Sequence, residues 1–142
     1  ILNKKILFLC TGNSCRSQMA EALGKKYLND FFIESAGTDP EPVNPFAIEV
    51  MKEKNIDISS YFSKSISDDK IKTFDIVITL CGDAKDKCTN INNLVKKYFH
   101  WNIIDPAKSK GSNQEKLNTF REVRNLIENN IQKLAHSLIK SH

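Results

Sequence analysis

LFLCTGNSCRSQMAE (Leu7–Glu21) passes from an unbroken apolar run into a small polar turn and then into helix-forming residues. Extended back to Lys5, the run through Cys10 is continuous rather than alternating, the pattern of a strand buried on both faces. Beyond the turn, Met19, Leu23 and Tyr27 recur every fourth residue, which predicts a helix over Ser17–Leu28 with one apolar stripe.

The same alternation of elements continues outward. Phe31–Ser35 reads as a short second strand, and Ala36-Gly37 opens a loop through Pro40 and Pro42. Asn44 is a plausible cap and Pro45 fits the first turn of a helix that should end near Lys54-Asn55. Residues 56–69 are mixed and serine-rich, a long connection with room for one helical turn. Phe74–Leu80 is the clearest central strand, because Ile-Val-Ile-Thr-Leu is β-branched and apolar. Trp101–Ile104 reads as a fourth strand that ends at Asp105-Pro106. From Gln114, a long helix is marked by Leu117, Phe120, Ile127, Ile131, Leu134 and Leu138, its stripe broken only at Arg124. Strands separated by helices predict an α/β fold, a four-stranded parallel sheet flanked by helices, as one domain over residues 1–142. Ligands in such sheets bind beyond the carboxyl ends of the strands. Cys10, Cys81 and Asp105 each follow a predicted strand and should meet at that edge.

Bulk properties narrow the function. The 142 residues allow one domain with a sizeable core. A formal charge of +4 fits a small anion, an acidic partner or no partner at all, and the dispersed lysines with no aromatic-rich basic stripe argue against nucleic acid. No apolar run approaches the roughly 18 to 20 residues that cross a bilayer. The basic opening lacks a secretory cleavage pattern, so a cytoplasmic location is the expectation. Cysteines in that compartment are more often catalytic, metal-binding or inert than disulfide-bonded. The four here pair as Cys10 with Cys15 and Cys81 with Cys88. Neither spacing is CxxC, and His100, His136 and His142 lie away from both, so a zinc site would require four thiolates meeting in space.

Between Cys10 and Arg16 the loop is the right size to curl around a tetrahedral oxyanion. Backbone N–H groups from Thr11 to Arg16 would point inward, through Gly12, Asn13, Ser14 and Cys15, aided by the helix start. Arg16 can grip two oxygens in a fork. Cys10 beneath this positive nest is expected to have a lowered pKa and to act as a nucleophile, with Ser17 donating to its sulfur. Gly12 allows a backbone conformation closed to other residues, and Asn13 also tolerates left-handed geometry. Asp105 would serve as general acid for a leaving oxygen, the alternative being simple capping or turn formation before Pro106. These residues alone suit phosphomonoester hydrolysis as well as any other oxyanion chemistry through a cysteine, and a buried core Cys10 remains the bland alternative.

The segment ITLCGDAKDKC (78–88) supplies what a phosphatase does not require, a second cysteine pair. With it, the chain resembles the thioredoxin-coupled arsenate reductases, which share the fold of low-molecular-weight protein tyrosine phosphatases. The resemblance covers nearly the whole chain: CTGNSCRSQMAE (10–21), SAG (35–37), NPFAIEVMKE (44–53), DIVITLCGDAKDKC (75–88) and HWNIIDPA (100–107). Gln18 stands where phosphatases of this fold usually have proline, and Ala107 and Lys108 where they tend to carry tyrosines.

The resemblance implies a three-layer sandwich and reduction of arsenate to arsenite. It implies that Cys10 attacks arsenic, that Cys81 then attacks the Cys10 sulfur, and that Cys88 takes over the disulfide. Reduced thioredoxin would be the electron donor, itself reduced by an NADPH-dependent reductase, with no tightly bound cofactor in this chain. Cys15 has no step and is expected to pack beneath the loop. Some members hold potassium near the loop. Asn13, Glu21 and Ser35 match three of its ligands, but the fourth position falls near Lys64, an ammonium, with Ser67 and Asp68 the nearest oxygen donors. Thr89 stands where a proline often follows the last cysteine, and 108–115 is longer than usual. Besides the phosphatase, a non-enzymatic oxyanion or redox sensor would also use this loop.

Overall fold

The computed structural model describes residues 4–80, 95 and 97–140. Four strands form one sheet in the order β2-β1-β3-β4: β1 (Lys5–Cys10), β2 (Phe32–Gly37), β3 (Ile76–Thr79) and β4 (Lys97–His100). Every neighbouring pair is parallel. The helices are α1 (Arg16–Tyr27), α2 (Pro45–Lys52), the single-turn α3 (Asp68–Ile71) and α4 (Asn113–Lys140). A 3-10 turn covers Pro106–Lys108. No helix among the described residues is long and apolar enough to cross a membrane.

The unbroken apolar run of β1 follows from its central place. Ile6, Phe8 and Cys10 face a large core shared with α1, α2 and α4, while Leu7 and Leu9 face a smaller one with Ile71, Phe74 and Val77. At full burial each such side chain contributes about 1.5–3 kcal/mol of transfer free energy, which makes β1 the anchor of the sheet. The strand order reverses at β1, with β2 on one side and β3 on the other. The crevice beyond its carboxyl end is therefore the place where a ligand site is built in open α/β sheets.

Local chemistry accounts for the helix ends. Asn44 caps α2 by accepting from the Phe46 amide at 2.8 Å, with Pro45 in the first turn. The helix stops at Lys52, and Asn55 takes a left-handed φ of 62° while Ile56 N bonds back to Met51 O. Arg124, which interrupts the apolar stripe of α4, is buried and productive. It donates to Val50 O at 2.9 Å and to Glu53 at 2.7 Å, satisfying a terminal carbonyl of α2.

Two strand assignments change. β2 runs through Gly37 rather than ending at Ser35, because Leu9 and Cys10 pair with Ala36 and Gly37. The fourth strand is Lys97–His100, not Trp101–Ile104. Apolar content favours the latter, yet β4 is an edge strand and mostly exposed, so Lys-Tyr-Phe-His pairs with Ile76–Thr79 without needing burial. Trp101 N adds one more bond, to Thr79 O, before the chain leaves the sheet.

Candidate active site

The segment between β1 and α1 is shaped from outside by its carbonyls. Thr38 N donates to Cys10 O, Asp39 N to Thr11 O, Glu41 N to Gly12 O and Asn44 N to Ser14 O. Asn13 O accepts from Gln18 Nε2 at 2.9 Å and from Ser63 Oγ at 2.7 Å. In a trans peptide the N–H of the next residue points opposite to the carbonyl. Tying the carbonyls outward therefore turns the amides of Thr11–Cys15 toward the interior of the loop. The α1 N-terminus adds its own amides, since Cys15 at its cap makes no side-chain capping bond and no acid occupies the first turn.

The left-handed residue of this loop is Asn13, with φ 49°, and not Gly12, whose φ lies outside that region. A Cβ at Gly12 would make only ordinary contacts, with Ser14 and Glu41. The glycine that the loop requires is Gly37. A Cβ there would lie 2.6 Å from Thr11 O and 2.8 Å from Asn13 N, so β2 and the loop touch backbone to backbone. Sequence reading placed Gly37 at the opening of a loop and missed this.

Asn13, fully buried, ties the loop together. Its Nδ2 donates to Ser17 Oγ at 2.7 Å and to Ser35 Oγ at 3.0 Å, and its Oδ1 accepts from Gln18 Nε2 and from the Lys64 amide. Gln18 also reaches Phe62 O, which clamps the 62–64 segment against the loop. That buried amide performs here what a proline cannot, and its departure from the phosphatase pattern was the only sign of it in the sequence.

Cys10 lies at the centre, 2% exposed. Its sulfur is 2.9 Å from Ser17 Oγ and accepts from the Asn13 amide at 3.2 Å. The pKa differs from the sequence expectation. Burial pushes the thiol above its ordinary value, and the Ser17 hydroxyl, the Arg16 guanidinium and the loop amides pull it down without overcoming burial. Cys15 is also held up, to about 12, by burial and by the nearby Asp105 carboxylate. It does more than pack under the loop, because its thiol donates to Asp105 Oδ1 at 3.6 Å.

Arg16 is buried with its guanidinium fixed in place. Nη1 donates to Leu80 O and to Ile103 O, both at 2.9 Å, and Nη2 lies 3.7 Å from Asp105 Oδ2. Its Nε has no hydrogen-bond partner, one of two such buried side-chain atoms among the described residues. An unsatisfied buried N–H of a cation, beside inward-turned amides and a thiol, is a built donor for an oxyanion. Asp105 reaches this edge by a route other than the one expected. It does not end a strand; buried Ile103 anchors the approach, and the carboxylate caps the 3-10 turn by accepting from Ala107 N at 3.0 Å. Cys81 and Cys88 lie outside the described residues. The preceding residue, Leu80, bonds through its amide to Leu9 O and through its carbonyl to Arg16.

The chain matches the family model of low molecular weight phosphotyrosine protein phosphatases over residues 5–142. It belongs to that family. Within it, the chain is 47% identical to the arsenate reductase of Bacillus subtilis over 136 residues, covering 95% of this chain and 97% of the relative. It is 48% identical to that of Oceanobacillus iheyensis, covering 94% and 97%. A solved arsenate reductase in the phosphate binding state superposes with a TM-score of 0.80 at 32% identity, covering 94% of this chain and 98% of that one. A protein tyrosine phosphatase at 24% identity and a TM-score of 0.80 carries the same fold.

In this phosphatase-family chain the donor set expected of a potassium site does not suit the ion. Glu21 is already held by two ammonium groups, Lys25 at 2.8 Å and Lys64 at 3.7 Å. Ser35 donates to Glu21, and Asn13 Oδ1 accepts two N–H groups. Ser67 is spent capping α3 through the Lys70 amide. Among the described residues no cluster of His, Cys, Asp and Glu could hold a metal.

Proposed function

We propose that the chain reduces arsenate to arsenite by a relay of Cys10, Cys81 and Cys88 that thioredoxin regenerates. The observation that carries this reading is the bond from Arg16 to Leu80 O, which ties the oxyanion loop to the residue that immediately precedes Cys81 in the chain. The full-length likeness to arsenate reductases supports it.

Arsenate docks on the amides of Thr11–Cys15 and on the free edge of Arg16. Hydrogen arsenate is a base, and on binding it takes the Cys10 proton that burial holds in place. Ser17 and Asn13 then donate to the thiolate. Cys10 attacks arsenic, the loop donors stabilise the charge that develops on oxygen, and the proton taken from Cys10, passed through the Asp105 carboxylate to the departing oxygen, lets it leave as water. The Cys81 thiolate attacks the Cys10 sulfur. The sulfur–arsenic bond breaks with its electron pair left on arsenic, which leaves as arsenite, and a Cys10–Cys81 disulfide forms. Cys88 attacks Cys81 and frees Cys10. Reduced thioredoxin, supplied by an NADPH-dependent reductase, then reduces the Cys81–Cys88 disulfide. Cys15, held protonated at neutral pH, stays out of the exchange and positions Asp105.

The test is arsenate-dependent NADPH consumption with thioredoxin and thioredoxin reductase, comparing wild type with Cys10→Ser, Cys81→Ser and Cys88→Ser. Sustained turnover in wild type and its loss in all three variants is expected. Phosphomonoester hydrolysis is the second reading, favoured because it needs only Cys10, Arg16 and Asp105. A wild type inert to arsenate, with phosphatase activity surviving in Cys81→Ser and Cys88→Ser, would establish it instead.

A further inference from the structure

A line of hydrogen bonds leads from Cys10 away from the oxyanion cradle into the body of the protein. Ser17 Oγ lies 2.9 Å from the sulfur, Asn13 Nδ2 donates to Ser17 and to Ser35, and Ser35 donates to Glu21 Oε1 at 2.5 Å. The line has a polarity, and Glu21 sets it. A carboxylate only accepts, so Ser35 must give its proton to Glu21 and offer a lone pair to Asn13. Asn13 therefore presents its amide nitrogen to both serines. Ser17, having accepted, keeps its own hydrogen for the Cys10 sulfur.

Glu21 is buried, and a buried carboxylate needs compensating charge. Lys25 supplies some from the next turn of α1, at the surface, with half of its side chain exposed. Lys64 is placed differently. Its amide donates to Asn13 Oδ1 at 3.0 Å and its carbonyl accepts from Gly37 N at 2.8 Å, so its backbone is fastened to the loop and to β2. Its ammonium faces the same Glu21 oxygen, Oε1, that Ser35 uses. Left uncompensated there, the carboxylate charge would act along the line against a thiolate at Cys10.

We propose that Lys64 is a tethered cation: its ammonium stands where a monovalent cation would otherwise balance Glu21, and it positions the Ser35–Asn13–Ser17 line so that a hydroxyl points at Cys10. Lys64 touches neither substrate nor sulfur and is a positioning residue. The proposal goes beyond the arsenate reading, since it holds for any oxyanion the loop processes.

The experiment uses the reduced full chain and reads two quantities in potassium chloride and in choline chloride at equal ionic strength. These are the rate of iodoacetamide alkylation at Cys10, located by peptide mass mapping, and the melting temperature. Wild type should be indifferent to the choice of cation. Lys64→Met should slow Cys10 alkylation about three- to tenfold in choline chloride, the effect of a nearby carboxylate left with Lys25 alone, while Lys64→Arg keeps the wild-type rate. Lys64→Asp should be slow in choline chloride and regain both rate and melting temperature in potassium chloride. A wild type that responds to potassium overturns the proposal, as does Lys64→Met reacting at the wild-type rate or Lys64→Asp ignoring potassium. If a variant melts, the wild-type salt comparison and Lys64→Arg still decide. Neither readout involves arsenate turnover, so failure here is separate from failure of the relay.

Discussion

At the scale of single residues, the two cysteines of the loop diverge through their neighbours. Cys10 has a hydroxyl, a guanidinium and an amide working against burial, whereas Cys15 has burial and a carboxylate working together. A thiol whose pKa is raised on folding binds its proton more tightly in the native state. Its contribution to stability is complete below the ordinary thiol value of 9.0 and is lost as pH rises from there toward about 12. Urea unfolding across that window should therefore show wild type losing about 1.4 kcal/mol per pH unit more than Cys15→Ala. Parallel pH profiles for the two proteins would contradict it. The roles of Cys10 and Arg16 were legible in the sequence because nucleophile and fork sit at a fixed spacing around a small polar turn. The direction of the Cys10 shift was not, since burial is a property of packing and the spacing carries no information about it. Lys64 was visible only as a misfit to a cation site, because its partner Glu21 lies far away along the chain.

Among the elements, the contact between β2 and the anion loop is the least forgiving. Gly37→Ala would drive a methyl against Thr11 O and Asn13 N, both backbone atoms already tied to the scaffold, so neither can yield. We expect a loss of about 1–3 kcal/mol in urea unfolding, together with weakened oxyanion binding by calorimetry. Gly12→Ala, which meets only side chains at ordinary distance, should leave stability within about 0.5 kcal/mol. The order of these two glycines is the reverse of what a turn-centred reading of the sequence suggests. β1, β3 and the Asn44–Pro45 helix start were legible because continuous apolar runs and capping chemistry are local signals. β4 was not, because an edge strand can be built from Lys-Tyr-Phe-His when its partner supplies the ladder.

For the whole molecule, the site is a junction of chain segments that are distant in sequence. Arg16 alone holds carbonyls of Leu80 and Ile103, so cradle and sheet edge form one unit. Phosphate bound to the native state and not to the unfolded chain should stabilise the protein by about 2.7 kcal/mol at a hundred times its Kd. Arg16→Lys, which keeps the charge but loses the fork, should shrink the shift in thermal unfolding severalfold. An equal shift in both proteins would place phosphate elsewhere. The outward-tied carbonyls of the loop carry one more consequence. With its amides fixed before any anion arrives, the cradle matches a tetrahedron of oxygens and has little freedom to sort one central atom from another. Phosphate, abundant in any cell, then becomes a frequent visitor that leaves unchanged. Under the proposed relay, selection falls to the step in which a sulfur–arsenic bond surrenders its electrons, something phosphorus does not accept. Fidelity toward arsenate would then be a matter of reducibility rather than of fit.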